Sequence, residues 1–229
     1  MRHYFKYILL LTLFCFTTNL QAQFSFKVGY NYSRANTSIS NDIIQRFNAN
    51  NPFLEPLGTI DFLSGFDLGL RLRNEFVGAE ISWGNKYNRQ FADGINPATN
   101  TEEFREIFLR FGSYSLGLES YAGPIGFGAT IDLNRVSFRN RDFEDDNKRR
   151  VLAETGFSSQ FFLSIHFEAS ETTSFSLRPY VQIPWKGVNL FSLEQELNPE
   201  FAATAVDTGD AYTERFTNFG IQVLFFNGN

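Results

Sequence analysis

The strongest candidates for catalytic residues in this chain are a serine, a histidine and a glutamate on one face of a predicted strand. Ser164, His166 and Glu168 alternate with apolar residues, and the only other histidine of the chain is His3. These residue types act as nucleophile, general base and orienting acid in many enzymes. Side chains at i and i+2 of a strand lie about 7 Å apart, so this trio alone is not a proton relay. We expect His166 to bond to a neighbouring strand and predict that the protein is not an enzyme.

A second candidate for chemistry is the acidic run of residues 142–146. It lacks the glycine and the distal glutamate of an EF-hand loop, and three basic residues follow it at 148–150. Cys15 is the single cysteine, which excludes a paired-cysteine zinc site, and no glycine-rich phosphate loop is present. We therefore expect a solvated loop here, and no metal and no cofactor.

The first 22 residues are typical of a signal peptide. Arg2 and Lys6 precede a ten-residue apolar run, which is too short to span a membrane as a helix, and Ala22 offers a small residue for cleavage. The alternative is a short buried helix. Cleavage would leave one domain over 23–229, without cysteine, and would change the net charge from −5 to −7. Such an acidic chain is not expected to bind nucleic acid.

From residue 24 onward, apolar and polar residues alternate. Such a period of two indicates β-strands with one apolar and one polar face. The pattern recurs in seven segments: 24–33, 65–73, 77–84, 125–134, 160–168, 175–185 and 218–225. An eighth strand is predicted near 105–118. Its apolar residues change parity, and we attribute this change to a β-bulge near Gly112 and Ser113.

The predicted connections alternate between short and long. Three links are a few residues long, whereas the others are expected to be long loops at 35–60, 88–104, 139–154 and 186–212. An even number of antiparallel strands with short turns at one end is typical of an outer-membrane barrel. We predict an all-β fold, an eight-stranded antiparallel up-and-down transmembrane β-barrel with extracellular loops and both termini periplasmic.

A soluble lipocalin-like barrel would show the same alternation with its apolar face inward. Two features favour a membrane barrel instead. The apolar face carries no charge, and an Arg or Lys there would cost about 2–4 kcal/mol at the bilayer midplane. Aromatic residues also concentrate near the strand ends, as membrane interfaces favour. The predicted girdles contain Phe24, Phe26, Phe76, Phe167, Phe175 and Phe225 at one rim, and Tyr30, Tyr32, Tyr87 and Trp185 toward the other, with Trp83 on the same face.

Three segments carry a family resemblance. They are the opening FKVGYN (26–31), the LRPYV strand (177–181) and the closing NFGIQVLFF (218–226). In these the chain resembles the small eight-stranded bacterial outer-membrane barrels, the OmpA/OmpX-like and PorT-like "porin family" proteins, over 24–226. The resemblance implies an outer-membrane location in contact with lipid and lipopolysaccharide. Barrels of this type commonly end on an aromatic residue, whereas here Asn227-Gly228-Asn229 follow Phe226.

The polar face predicts a lumen that is closed by paired charges. Eight strands enclose a space that side chains can fill. The residues expected to project into it are Lys27, Asp67, Arg71, Glu80, Arg110, Asp132, His166 and Arg178. The alternative is a narrow small-solute channel. A lipid-A-modifying barrel enzyme is a less favoured one.

The loops 35–60 and 186–212 hold apolar residues that suggest either a cap over the barrel mouth or a contact surface. The candidates for contact are Phe47, Phe53, Leu190, Leu193 and Leu197, the last three at helix-like spacing. We predict a non-enzymatic structural or binding role, and consider an accessory function in an envelope or secretion assembly, with other envelope proteins bound through these loops.

Overall fold

The structure, a computed structural model, describes residues 23–143, 147–170, 172–205 and 209–228. The predicted signal peptide and the last three residues of the acidic run, 144–146, lie outside these ranges. The elements in chain order are β1 (Gln23–Ala35), α1 (Ser38–Asn50), β2 (Phe62–Arg73), β3 (Val77–Asn96), β4 (Thr101–Ala122), β5 (Ile125–Arg141), β6 (Arg149–Glu168), β7 (Thr173–Pro184), β8 (Val188–Asn189), α2 (Phe191–Leu197), α3 (Pro199–Ala202), β9 (Thr213–Glu214) and β10 (Asn218–Asn227).

Eight strands close into one antiparallel barrel. Their order around it is β1-β10-β7-β6-β5-β4-β3-β2, and β2 returns to pair with β1. The ladder between the first and last strands sets Val28 opposite Phe225 and Tyr32 opposite Ile221, so every strand has two neighbours. The predicted eight-stranded up-and-down barrel is confirmed.

The two ends of the barrel differ. Residues 74–76 and 123–124 make tight turns at one end, where β1 begins and β10 ends, and the described residues 169, 170 and 172 lie between β6 and β7 at the same end. We call this the short-turn end. At the opposite end, the loop end, the segment 36–61 and the described residues of the segment 185–217 fold over the mouth. The remaining strands β8 and β9 pair only with each other within this second segment.

Apolar side chains face outward and form a continuous belt. Phe26, Leu68, Leu116 and Phe127 are among the exposed members, and the belt contains residues from all eight barrel strands. The polar residues of the same strands face inward and are buried. The distribution is therefore that of a barrel whose outer surface contacts lipid and not water. No helix in the described ranges is long and apolar enough to cross a membrane.

Strands β3 to β6 are longer than the sequence predicted. They contain 17 to 22 residues, whereas about 9–11 tilted residues suffice to span a membrane. The predicted loops 88–104 and 139–154 are therefore mostly strand among their described residues: 97–100 connect β3 to β4, and 142–143 and 147–148 are the described residues between β5 and β6. The long ladders extend past the apolar belt and build a wall at the loop end.

The predicted β-bulge near Gly112 and Ser113 is wrong. β4 keeps continuous register with both neighbours through this point. The apolar parity changes because the environment changes along the strand. Before residue 112 in the chain, Leu109 and Phe111 point inward and join the buried apolar core under the loop-end segments. After it, Leu116 points outward into the belt. The register shift that does occur lies at Phe138/Arg139, between β5 and β6.

Candidate functional site

The interior of the barrel holds a balanced set of buried charges. Among the described residues, four cations and four anions face inward along the strands, and each is at least nine-tenths buried. Paired charges can satisfy one another in such a lumen, whereas an unpaired one would be costly. The cations are Lys27, Arg71, Lys86 and Arg178, and the anions are Asp67, Glu80, Glu119 and Asp132.

Arg178 is the centre of this network. Its two terminal nitrogens donate to both Glu80 carboxylate oxygens at 2.8 and 3.0 Å, and one of them also reaches Glu119 at 3.2 Å. Lys27 on β1 donates to the same Glu80 carboxylate at 3.0 Å. The guanidinium also lies 3.9 Å from the centre of the Phe162 ring. One β7 residue therefore connects strands β1, β3, β4 and β6 across the interior.

A second layer lies closer to the loop end. The Asp132 carboxylate accepts hydrogen bonds from Thr130 at 2.6 Å and from the Gln182 amide at 2.8 Å. The Lys86 ammonium donates to Gln182 and to the Tyr180 hydroxyl, both at 3.2 Å. This layer connects strands on opposite walls by hydrogen bonds between buried side chains.

The Asp67 carboxylate belongs to the wall of β2. It accepts a hydrogen bond from Asn31 and a longer one, 3.4 Å, from the Gln222 amide. Asn31 lies on β1, which is next to β2, and Gln222 lies on β10, on the far side of β1. Asp67 therefore joins the seam where the first and last strands meet.

His166 contacts Ser164 and an acid, but the acid is Glu119 and not Glu168. The Nε2 atom lies 3.0 Å from the Ser164 hydroxyl and 3.1 Å from a Glu119 carboxylate oxygen. The expectation that i and i+2 side chains are too far apart is wrong here, because the long imidazole folds back along the strand. Glu168 lies exposed at the rim.

The geometry of this cluster does not match a proton relay. In a catalytic triad, serine and acid occupy different ring nitrogens of the histidine. Here both share Nε2, while Nδ1 has no hydrogen-bond partner among the described residues. Ser164 is fully buried. The cluster holds Glu119 in place and offers no open position for a substrate.

Aromatic side chains fill the short-turn end of the interior. The Arg71 guanidinium stacks 3.4 Å from the centre of the Phe226 ring, and Tyr121 donates to Glu119 at 2.8 Å. The Phe162 ring fits inside because residue 128 is a glycine: a Cβ at Gly128 would lie 2.4 Å from this ring. A void of about 10 Å³ remains between the charged layers, about the space of one water molecule. The lumen is filled with side chains.

The structure places seven of the eight predicted lumen residues inside and one outside. Arg110 lies at an outward position of β4, where its Nε donates to the outward Asn85 at 2.7 Å. The prediction for Arg110 is wrong because it followed the assumed bulge. Without the bulge, Arg110 shares the outward parity of Tyr114 and Leu116.

Comparisons with known proteins support no family assignment. No protein-family model and no curated protein sequence matches the chain. Among solved structures, Ail of Yersinia pestis is 10% identical, with a TM-score of 0.43 over 91% of this chain and 99% of that one. Neisserial surface protein A is 9% identical, with a TM-score of 0.43 over 90% and 97%. The outer-membrane protease OmpT of Escherichia coli is 9% identical, with a TM-score of 0.41 over 93% and 100%. At these values the likeness indicates nothing about what this chain binds or catalyses.

The residues predicted for the aromatic girdles all lie at outward positions. Phe24, Phe26, Phe76, Phe167 and Phe175 are exposed near the short-turn end, and Phe225 is half-buried there. Tyr30, Tyr32, Tyr87 and Trp185 are exposed in the part of the belt nearer the loop end, where Trp83 is half-buried. Several of these rings contact each other; Phe175 and Phe225, for instance, meet edge to face at 5.3 Å.

The predicted contact surface of the loops is buried instead. Phe47, Leu190, Leu193 and Leu197 are at least nine-tenths buried, and Phe53 is half-buried against the same cluster. These residues pack on inward apolar side chains of the long strands because the apolar faces of α1 and α2 point down into the mouth. The two loops therefore form a cap. They do not present these residues to a partner.

Two buried acids fix the cap. Glu214 accepts hydrogen bonds from the backbone N–H groups of Ile39 and Ser40 at 2.8 and 3.1 Å, at the start of α1. Burial raises the pKa of the Glu214 carboxyl. Glu194 on α2 is paired with Arg46 on α1, and this hydrogen bond raises the pKa of the Arg46 guanidinium. Both contacts join the segment 36–61 to the segment 185–217.

Sequence reasoning missed several residues of the interior. Glu119 and Lys86 carry charges at inward positions that were not assigned to the lumen. Phe162, Leu224 and Phe226 are apolar residues on an otherwise polar face, and all three are buried inside. These exceptions to the alternation could have identified Phe162, Leu224 and Phe226 as interior residues, because an apolar side chain at an inward position must pack against other side chains inside the barrel.

Proposed function

We propose that the protein is an integral outer-membrane barrel with a closed lumen and a non-enzymatic structural or binding role. The observation that carries the proposal is the inverted distribution of polarity. An uncharged apolar belt surrounds the outside, while four buried cations and four buried anions fill the inside of the described barrel. This arrangement is stable where the outer solvent is lipid. It would be unstable as a soluble lipocalin-like carrier, whose apolar face lines the cavity.

The first experiment is gel mobility of the detergent-extracted mature protein with and without boiling. We expect a shift on boiling, because a closed barrel resists dodecyl sulfate until heated. We also expect extraction to require detergent. A protein that stays soluble without detergent would contradict the membrane assignment.

The filled interior favours a closed barrel over a small-solute channel. The void of about 10 Å³ between the charged layers offers no continuous path, and the core under the cap covers the loop end. The purified protein in planar bilayers should give no steady conductance. A reproducible ohmic current that disappears with a covalently locked cap would favour the channel.

The arrangement around His166 supports a non-enzymatic role. Ser164 and Glu119 occupy one ring nitrogen, and the buried cluster is closed by Tyr121 and Phe226. A lipid-A-modifying activity would require access for an acyl chain. Mass analysis of lipid A from deletion and wild-type strains should give identical spectra, and an altered acylation pattern restored by the intact gene would contradict the proposal.

The proposed orientation places the cap outside the cell and both termini in the periplasm. Cysteine labelling tests it directly, since the sequence after residue 22 contains no cysteine. Phe201→Cys in the cap should react with a membrane-impermeant maleimide on intact cells, whereas Glu75→Cys in a short turn should react only after lysis. The reverse pattern would invert the orientation. An accessory role in a larger assembly would then involve the outer surface of the cap.

A further inference from the structure

Four arginines line one groove on the outer wall of the barrel. Arg110, Arg135, Arg139 and Arg150 surround a space of about 320 Å³ on β4, β5 and β6, together with aromatic and small polar side chains. We call these four residues the arginine groove. It faces away from the lumen and is separate from the charge network inside.

Strand register brings the four side chains together. Arg110 and Arg135 lie on neighbouring strands, two residues apart in register. Arg139 lies directly opposite Arg150 in the ladder between β5 and β6. The register shift between these strands places Arg150 on the outward face, while its neighbour Val151 packs inward against the core. Without the shift, Arg150 would point inward.

The groove concentrates positive charge without a matching acid. Arg110 is oriented by its hydrogen bond to Asn85, whereas the side chains of Arg135, Arg139 and Arg150 have no hydrogen bond or ion pair within the described ranges. None of the described residues that line the groove is acidic. The inward carboxylates of Glu119 and Asp132 on the same strands both accept hydrogen bonds inside the lumen, and the chain as a whole is acidic. Several guanidinium groups in one place favour an anion with several oxygen atoms, such as a phosphate.

The groove begins where the apolar belt ends. Leu133 is the last apolar outward residue of β5, and Arg135 is the next outward residue. Trp83 and Tyr114 belong to the belt and also line the groove. In a membrane this is the height of the lipid headgroups at the loop end, where Trp and Tyr are favoured. A ligand there can place acyl chains on the belt and phosphates in the groove.

We propose that the arginine groove binds the phosphate groups of a glycolipid in the outer leaflet. The inference rests on the proposed function, since it requires the belt to lie in an outer membrane with the loop end outward. Contact with lipid is general for such a barrel. The groove adds a specific site for one phosphorylated headgroup on one side of the wall.

The test uses mature protein in uncharged detergent micelles, with bound lipid counted by native mass spectrometry. It is titrated with bisphosphorylated lipid A, with the same lipid stripped of its phosphates, and with inorganic phosphate. We expect about ten-fold tighter binding of the phosphorylated lipid than of the stripped one, and weaker binding of inorganic phosphate. The double variant Arg135→Gln/Arg139→Gln should lose about ten-fold in affinity for the phosphorylated lipid alone.

Arg34→Gln is the matched control. Arg34 is an exposed arginine near the loop end of β1, four strands from β5 in the closed barrel, and its replacement should leave lipid binding unchanged. An equal loss in this control, or equal binding of the stripped lipid, would overturn the proposal. Inorganic phosphate bound as tightly as the lipid would indicate a free-anion site and would also overturn it.

The boiling shift separates this inference from the proposed function. A wild-type protein that shifts but ignores the phosphates of lipid A contradicts only the arginine groove. A wild-type protein that shows no shift contradicts the membrane barrel itself. If the double variant does not fold, Arg139→Gln alone should still lower the affinity about three-fold, and an unchanged affinity in that folded variant refutes the site.

Discussion

Replacing Arg178 with methionine should destabilise the barrel by about 3 kcal/mol. Arg178 is fully buried and donates to Glu80 at 2.8 and 3.0 Å and to Glu119 at 3.2 Å. Methionine keeps much of the length and the contact with Phe162 but removes the charge. Breaking a buried ion pair by removing one partner typically costs about 3–5 kcal/mol.

The lower end of that range applies because both acids keep other partners. Glu80 still accepts from Lys27 at 3.0 Å, and Glu119 still accepts from Tyr121 at 2.8 Å. Neither carboxylate is left alone in the interior. The Arg178→Met variant leaves one more negative than positive charge in the interior, and the further substitution Glu80→Gln removes that excess. The double variant Arg178→Met/Glu80→Gln should therefore be more stable than the sum of the single losses predicts, by about 1–2 kcal/mol.

The assay is urea unfolding of the mature protein reconstituted in lipid vesicles, followed by the fluorescence of Trp83 and Trp185. The control is Arg34→Met, which replaces an exposed arginine on the outer face and should change stability by less than about 0.5 kcal/mol. A loss in Arg178→Met no larger than in this control would refute the central role of Arg178. Strictly additive losses in the double variant would show that Arg178 and Glu80 are not coupled.

Three further outcomes are expected. Leu193→Ala should destabilise the cap by about 3 kcal/mol. We expect faster limited proteolysis of 185–217 while the boiling shift of the barrel persists. Loss of the shift would contradict the idea that the cap can unfold while the barrel stays closed. Burial raises the pKa of Glu214 above its unfolded value of about 4.3, so the contribution of this group to cap stability should be greatest below that value and fall as pH rises to the folded pKa. Hydrogen exchange corrected for intrinsic rates should show this fall in the wild type and not in Glu214→Gln. Gly65→Ala should prevent folding, since its Cβ would lie 1.8 Å from the Asn85 carbonyl oxygen, whereas Gly156→Ala, with nothing within 4 Å, should fold and shift on boiling.

The sequence alone predicted the barrel because a period of two is a local property. Alternation such as that of 24–33 assigns each side chain to one of two faces, whatever the partner strand is. The absence of charge on the apolar face then identified the outer surface. Seven of the eight expected lumen residues follow from this parity, and Arg178 was among them.

Parity could not predict where the environment of a strand changes. Leu109 and Phe111 are apolar but face inward, because the loop-end segments bring their own apolar residues over the mouth. From sequence this looked like a bulge, which misplaced Arg110. Similarly, the buried positions of Phe47 and Leu193 depend on packing between segments more than 140 residues apart.

What the sequence determined is the type of each strand and the solvent on each side of the wall. Both depend only on neighbouring residues. The tertiary structure decided which side chains meet, because closure of β1 on β10 and the register of every ladder depend on all eight strands together. It placed Glu119 on His166, paired Arg178 with Glu80, and, through one register shift, turned Arg150 toward Arg139. These pairings join residues on different strands, and no local pattern in the chain specifies them.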